Sequence, residues 1–160
     1  MGKRRNRVCG ADVHKDLIVA TIQSADGTEF QEKFGTTYSE LERFRDWLIA
    51  NNCEQVAFEA TGVYWFPVYD ALSPSIDTIV ANPWMIKGIP GNKSDACDSR
   101  WIAENCLDGK NKRSRIFSKE DRNLRTMTRA RSGYTKTRTQ LRNRIHKYLA
   151  LCAIKLSSCI

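Results

Sequence analysis

The sequence predicts an α/β fold, a mixed five-stranded sheet with flanking helices, followed by a long basic helical segment. Three observations predict it. Short apolar runs bounded by turn residues alternate with stretches of helical periodicity. Acidic residues end two of the apolar runs and open a later helix. The charge also divides along the chain: residues 1–109 hold 11 Lys+Arg against 16 Asp+Glu, net −5, and residues 110–160 hold 15 against 2, net +13.

The first strand, about residues 7–13, contains Val8-Cys9-Gly10-Ala11-Asp12-Val13, small and apolar enough to be covered on both faces. Leu17 to Ser24 follows, then a turn at Ala25-Asp26-Gly27 and a third strand from Glu29 to Gly35, which together make an antiparallel meander. Ser39 to Asn51 is an amphipathic helix through Leu41, Phe44, Leu48 and Ile49. Gln55 to Glu59 is the fourth strand, stopped by Ala60-Thr61-Gly62; Val63 to Leu72 is a helix and Asp77 to Val80 the fifth strand. After the turn-rich Pro90-Gly91-Asn92-Lys93, Ser94 is an N-cap candidate for a helix carrying Trp101, Ile102, Ala103 and Leu107.

Four acids stand out in this frame. Asp12 lies in the first strand, Glu59 ends the fourth, and Asp95 and Asp98 fall three apart on one face of a first helical turn. Carboxylates are rarely buried unless paired or bound to a cation. Acids near a helix N-terminus are also favoured by the macrodipole, so Asp95 and Asp98 alone would suit an ordinary capped surface helix. Taken together, the four suit Mg²⁺, or Mn²⁺ in its place, because a few carboxylates from separate elements can hold one or two such ions against a phosphate. His14 and Lys15, beside Asp12, are read as parts of a hairpin connection rather than as catalytic groups.

Gly10-Ala11-Asp12-Val13-His14-Lys15-Asp16, Glu59-Ala60-Thr61-Gly62-Val63-Tyr64-Trp65, Asn82-Pro83 and Lys93-Ser94-Asp95-Ala96-Cys97-Asp98 carry a family resemblance. In order and spacing they resemble the N-terminal, RuvC-like catalytic domain of DEDD insertion-sequence transposases, the family that includes the Piv invertases and the bridge-RNA-guided recombinases. The resemblance runs from about Cys9 to Ser157. It implies an RNase H-like fold in which strands one and four are neighbours, with Asp12, Glu59, Asp95 and Asp98 as catalytic metal ligands. It also implies DNA strand exchange directed by a guide RNA and completed by a serine-bearing domain, which is expected to lie beyond Ile160. On that expectation this chain alone would not complete recombination.

The chain divides into residues 1–109, the RuvC-like metal-binding unit, and residues 110–160, a basic helical segment for nucleic-acid binding and oligomerisation. Ser118-Lys119-Glu120-Asp121 resembles a capping box with Asp in the usual Glu place, and a long helix should follow. Leu141, Ile145, Tyr148, Leu149, Cys152 and Leu156 form an apolar stripe suited to a partner helix, hence a homo-oligomer. Arg122, Arg125, Arg129, Arg131, Lys136, Arg138 and Arg142 have almost no acids to pair with, which favours DNA or RNA over a merely solvated face. Gly133 is a candidate bend or interruption of the helix.

Six cysteines with no zinc-ligand spacing are expected to be free thiols in a reducing, cytoplasmic setting, and no segment has the length to span a membrane. Tyr64, Trp65, Phe66 and Tyr69 are assigned to core packing rather than to base stacking. Two other functions compete: a free-standing nuclease of the Holliday-junction-resolvase kind, served by the same four acids, and a non-enzymatic nucleic-acid-binding remnant. A sugar kinase or actin-like ATPase is set aside, because Val13-His14-Lys15-Asp16 offers no Gly-rich phosphate loop after the first strand.

Overall fold

The computed structural model describes residues 5–60, 62–81 and 95–156. Thr61, Asn82, Pro83, Trp84, the proposed cap Ser94, the N-terminal Lys3 and Arg4, Ser157, Ser158 and Cys159 lie outside the described residues. Contacts divide the chain into two compact units, Met1–Arg115 and Ile116–Ile160.

The first unit is built on strands β1 (Arg7–Val13), β2 (Ile18–Ser24), β3 (Glu29–Phe34), β4 (Gln55–Glu59) and β5 (Asp77–Ala81), with helices α1 (Tyr38–Ala50), α2 (Trp65–Leu72) and α3 (Asp95–Leu107). The sheet order is β3-β2-β1-β4-β5: an antiparallel meander joined through β1 to two parallel strands. The turns follow local chemistry. Gly27 takes φ +90, a conformation that costs glycine no steric strain, and the Asp26 carboxylate accepts from Thr28 N at 2.8 Å.

Because side chains alternate across a strand, each strand divides its residues between two layers. Cys9, Ala11, Val13, Ile18, Ala20 and Ile22 are buried on one face. There Phe34 meets Phe44 of α1 at 4.8 Å between ring centroids, with Trp47 beside both. Helix α1 buries Leu41, Phe44 and Leu48, while Ile49 is left half exposed. The other face carries Val8, Ala57, Ile79 and Ala81 against Ile102 and Cys106 of α3.

Gln31, Thr21, Gly10, Ala57 and Ile79 form a single row across all five strands on that second face. Gly10 is where α3 comes closest. A Cβ there would stand 2.2 Å from the Ser99 carbonyl oxygen and 2.3 Å from the Ala103 nitrogen, so only glycine admits the helix backbone at this depth.

At the opposite end of the strands from Asp12, the Asp77 carboxylate accepts from Arg5 at 2.9 Å, from Gln55 Nε2 at 2.6 Å and from Arg113. Gln55 Oε1 in turn accepts from the Cys106 thiol at 3.1 Å. Ser114 N donates to Val80 O, and Ala81 and Arg113 form an isolated bridge, so the segment through Arg113 is attached to the β5 edge. Burial alone would raise the Asp77 carboxyl, but the bonds from Arg113 and Gln55 and the charges of Arg113 and Arg5 outweigh it and hold the group below its ordinary value. The stability Asp77 contributes is therefore fully present above the unfolded carboxylate value and is lost as pH falls through the depressed folded one. Asp77→Ala leaves Gln55 without its acceptor and should cost about 1–3 kcal/mol in urea unfolding at neutral pH. The difference from wild type should narrow in acid.

The second unit holds α4 (Lys119–Leu151), 33 residues long. Its start is as the sequence indicates, with Ser118 Oγ accepting from Asp121 N at 3.1 Å. Gly133 does not interrupt it: the helix is continuous there, because one glycine costs only about 1 kcal/mol within so long a run. Thr126, Thr128, Thr135, Thr137 and Thr139 each donate a hydroxyl to the carbonyl four residues earlier, which satisfies these side chains within the helix itself.

Among the described residues, Cys9, Cys53, Cys97, Cys106 and Cys152 are free thiols. Burial pushes Cys53 and Cys106 up to about 12 and raises Cys9 well above its usual value, so these three act as small hydrophobes rather than nucleophiles. No described helix is long and apolar enough to cross a membrane.

Candidate metal centre

Asp12 is the next-to-last residue of β1, on the face that α3 covers. Its neighbour in the sheet follows from register: Ala11 pairs with Phe58 in the parallel β1–β4 ladder, so the residues one step on, Asp12 and Glu59, end adjacent strands. Glu59 pairs with Ala81, which packs toward α3, and so belongs to the same face. Asp95 and Asp98 both lie in the first turn of α3. Two strand ends and one helix start thus bring the four predicted acids to one end of one layer.

The tightest grouping includes a residue that the sequence reading had assigned to a turn. His14 Nε2 lies 2.9 Å from Asp12 Oδ2 and 3.5 Å from Asp95 Oδ1. The ligand atoms of Asp12, His14 and Asp95 all fall within 4.8 Å of one another. Its backbone does form the hairpin connection, His14 N donating to Leu17 O at 2.9 Å. The available signal was the Asp-x-His spacing, since residues two apart at a strand end share a face. Glu59 stands outside this trio, and so does Asp98, although its charge reaches Asp12.

Asp12 is poorly placed for a lone carboxylate. Its side chain is only 16% exposed. Desolvation raises its pKa above the ordinary carboxylate range; His14, through its charge and hydrogen bond, pulls it down, and the charges of Asp95 and Asp98 push it up again. Hard oxygen donors from separate elements, in mutual repulsion around a half-buried acid, fit a divalent cation: it would relieve the repulsion and satisfy the buried anion together. Imidazole nitrogen suits Zn²⁺ and the later transition metals, whereas Mg²⁺ and Mn²⁺ favour the carboxylate oxygens.

Of the aromatic residues after Glu59, three are partly covered and Tyr64 is exposed. Helix α2 buries Val68 and Leu72, whereas Trp65, Phe66 and Tyr69 are only partly covered and Tyr64 is 41% exposed. Trp65 meets Phe66 and Tyr69 edge to face, at 4.3 and 6.2 Å. The helix is short, and its apolar stripe is narrow enough for two aliphatic residues to fill.

On α4, Arg125, Arg129, Arg131, Lys136, Arg138 and Arg142 are exposed, whereas Arg122 is buried at 8%. Arg125 also lies over the Phe117 ring, 5.6 Å from its centroid.

A family model described as a transposase, of the DEDD IS110 type, matches residues 9–154. The chain belongs to the DEDD transposase family. No curated relative matches this transposase domain. Among solved structures it is similar to the Thermus thermophilus RuvC structure, at 14% identity and TM-score 0.50 over 68% of this chain and 99% of that one. It is also similar to T. thermophilus RuvC in complex with a Holliday junction substrate, at 13% identity and TM-score 0.48 over 69% of this chain and 100% of that one. The transposase domain accordingly has a RuvC-like, RNase H-like fold, with a mixed five-stranded sheet, flanking helices and a long C-terminal helix.

Proposed function

We propose that residues 1–109 are the catalytic unit of a DNA transposase or site-specific recombinase, in which Asp12, Glu59, Asp95 and Asp98 hold one or two divalent cations for phosphodiester cleavage and strand exchange. The observation that carries this reading is the convergence of Asp12 and Asp95, far apart in sequence, to within reach of one ion, with Glu59 on the neighbouring strand end. Mg²⁺, or Mn²⁺ in its place, supplies Lewis-acid polarisation of the phosphate oxygens when bound. Asp12 and Asp95 would hold the ion from two elements, and Glu59 and Asp98, at the same end, would add oxygen donors to the set. His14, hydrogen-bonded to Asp12, orients that carboxylate.

The second unit, Ile116–Ile160, is proposed to hold the nucleic acid and a second copy of the chain, the boundary falling past Arg113 and Ser114 because these are attached to β5. Exposed bases on α4 grip phosphates of DNA and of a guide RNA, contacts that position without reading sequence. Of the predicted stripe, Cys152 and Leu156 fall past the end of α4 at Leu151. Leu141, Ile145 and Tyr148 are exposed on the helix and continue toward its N-terminus through Tyr134, Met127 and Leu124 at spacings of three, four and seven, which suits a paired helix. The double variant Leu141→Glu, Ile145→Glu should convert a dimer into a monomer by light scattering; a wild-type chain that is already monomeric at tens of micromolar refutes the pairing.

The metal reading is tested by Mn²⁺ titration calorimetry together with cleavage of labelled DNA. Glu59→Gln and Asp98→Asn should each weaken binding at least tenfold and remove Mg²⁺-dependent cleavage, while circular dichroism remains that of the wild type. Wild-type affinity in both variants would remove Glu59 and Asp98 from the ligand set.

A further inference from the structure

A polar row, buried at Thr21 and Ser99 and edged by the exposed Gln31, lies one step behind the carboxylates. Thr21 Oγ1 and Ser99 Oγ are 2.8 Å apart, and both residues are fully buried. Gln31 Nε2 reaches Thr21 Oγ1 at 2.9 Å, the Ala96 carbonyl at 3.3 Å and Ser99 Oγ at 3.4 Å. Thr21 and Gln31 belong to the row that includes Gly10, where α3 touches the sheet backbone. Asp12 is two residues beyond Gly10 on the same face, roughly 7 Å along the strand. Ser99 and Ala96 lie within the first turns of α3, interleaved with Asp95 and Asp98.

We infer that Thr21, Ser99 and Gln31 are positioning residues for the metal centre, forming a hydrogen-bonded lock that sets the slide and rotation of α3 so that Asp95 meets Asp12. The inference rests on the reading of Asp12 and Asp95 as ion ligands. Gly10 sets how close the helix comes, but an apolar contact leaves it free to slide along the strand. Directional bonds remove that freedom: Thr21 fixes Ser99 from β2, and Gln31 fixes both Ser99 and the Ala96 carbonyl from β3. A purely apolar interface at this row would serve stability equally well, as Ala57, Ile79 and Ile102 do farther along the same face. A buried hydroxyl pair, Thr21 with Ser99, sited at the turn that carries two of the four acids serves geometry, because ion ligands tolerate little displacement.

The informative variant is Thr21→Val, nearly isosteric. Ser99 Oγ still donates to the Ala96 carbonyl at 3.1 Å and Gln31 keeps its bond to the same oxygen, so no partner is orphaned and the chain should fold. Mn²⁺ calorimetry on the full chain should show about tenfold weaker binding for Thr21→Val and recovery to wild-type affinity in Thr21→Ser. Thermal midpoints should not follow that order of affinities. Ser99→Ala should reproduce the loss and serves in its place should Thr21→Val fail to fold. Wild-type affinity in a folded Thr21→Val or Ser99→Ala, with binding lost in Asp12→Asn, overturns the lock and leaves the metal centre standing. Undiminished binding in Asp12→Asn overturns both.

Discussion

Asp12→Asn should abolish divalent-ion binding and at the same time raise the thermal stability of the metal-free protein. The two effects have one cause. A half-buried carboxylate that desolvation penalises and Asp95 and Asp98 repel, together by more than His14 compensates, is unfavourable until a cation arrives; the amide removes the charge and keeps the shape. Because the folded pKa is raised, the penalty is largest above that value and disappears as pH falls below the ordinary carboxylate range. Calorimetry at neutral pH should therefore show a higher midpoint than wild type without metal, and the gain should vanish in acid below the ordinary carboxylate range. With millimolar Mg²⁺ the order should reverse, since only the wild type gains stability from an ion bound to its folded state. A metal-free midpoint that falls on substitution would mean that Asp12 is stabilised by His14 as an ordinary ion pair.

Removing Arg125, Arg129 and Arg138 together should weaken DNA binding by roughly a hundredfold at physiological salt and reduce the slope of log affinity against log salt by about 3. The expectation follows from counterion release: each base that neutralises a phosphate contributes close to one unit of slope. It should hold equally for unrelated duplex sequences, since the contacts are with backbone. A steep slope retained in the triple variant would place the phosphate contacts elsewhere, with the basic helix serving solubility or pairing. The exposed faces of these residues fit the prediction, and the burial of Arg122 leaves it out.

The limits of the five strands could be read from the sequence because they depend on neighbours. Val8 to Val13 is apolar, Gly27 turns the chain, and Gln55 to Glu59 stops at small residues; each signal acts over a few positions. The cap of α4 was visible for the same reason, a hydroxyl three residues before the backbone N–H it accepts. The four acids were visible as types and spacings, and the sheet adjacency of Asp12 and Glu59 was available only through family resemblance. His14 was missed because the hairpin role and the site role occupy the same residue: its backbone makes the turn while its ring reaches Asp12 and Asp95. The aromatic residues around α2 are covered unevenly, Trp65, Phe66 and Tyr69 in part and Tyr64 least, because helical spacing says which residues share a face, not how wide a stripe the neighbouring layer covers.

By itself, then, the sequence determined the order of strands and helices, the basic character of the long C-terminal helix and the chemical types present at the site. Only the tertiary structure decided that α3 crosses β1 at Gly10, that Thr21 and Gln31 hydrogen-bond to its first turns, and that His14 joins Asp12 and Asp95. Local structure follows from short-range sterics and hydrogen bonding, whereas the meeting of distant carboxylates depends on how one helix backbone fits against a sheet, a distance that no pattern of residue types records.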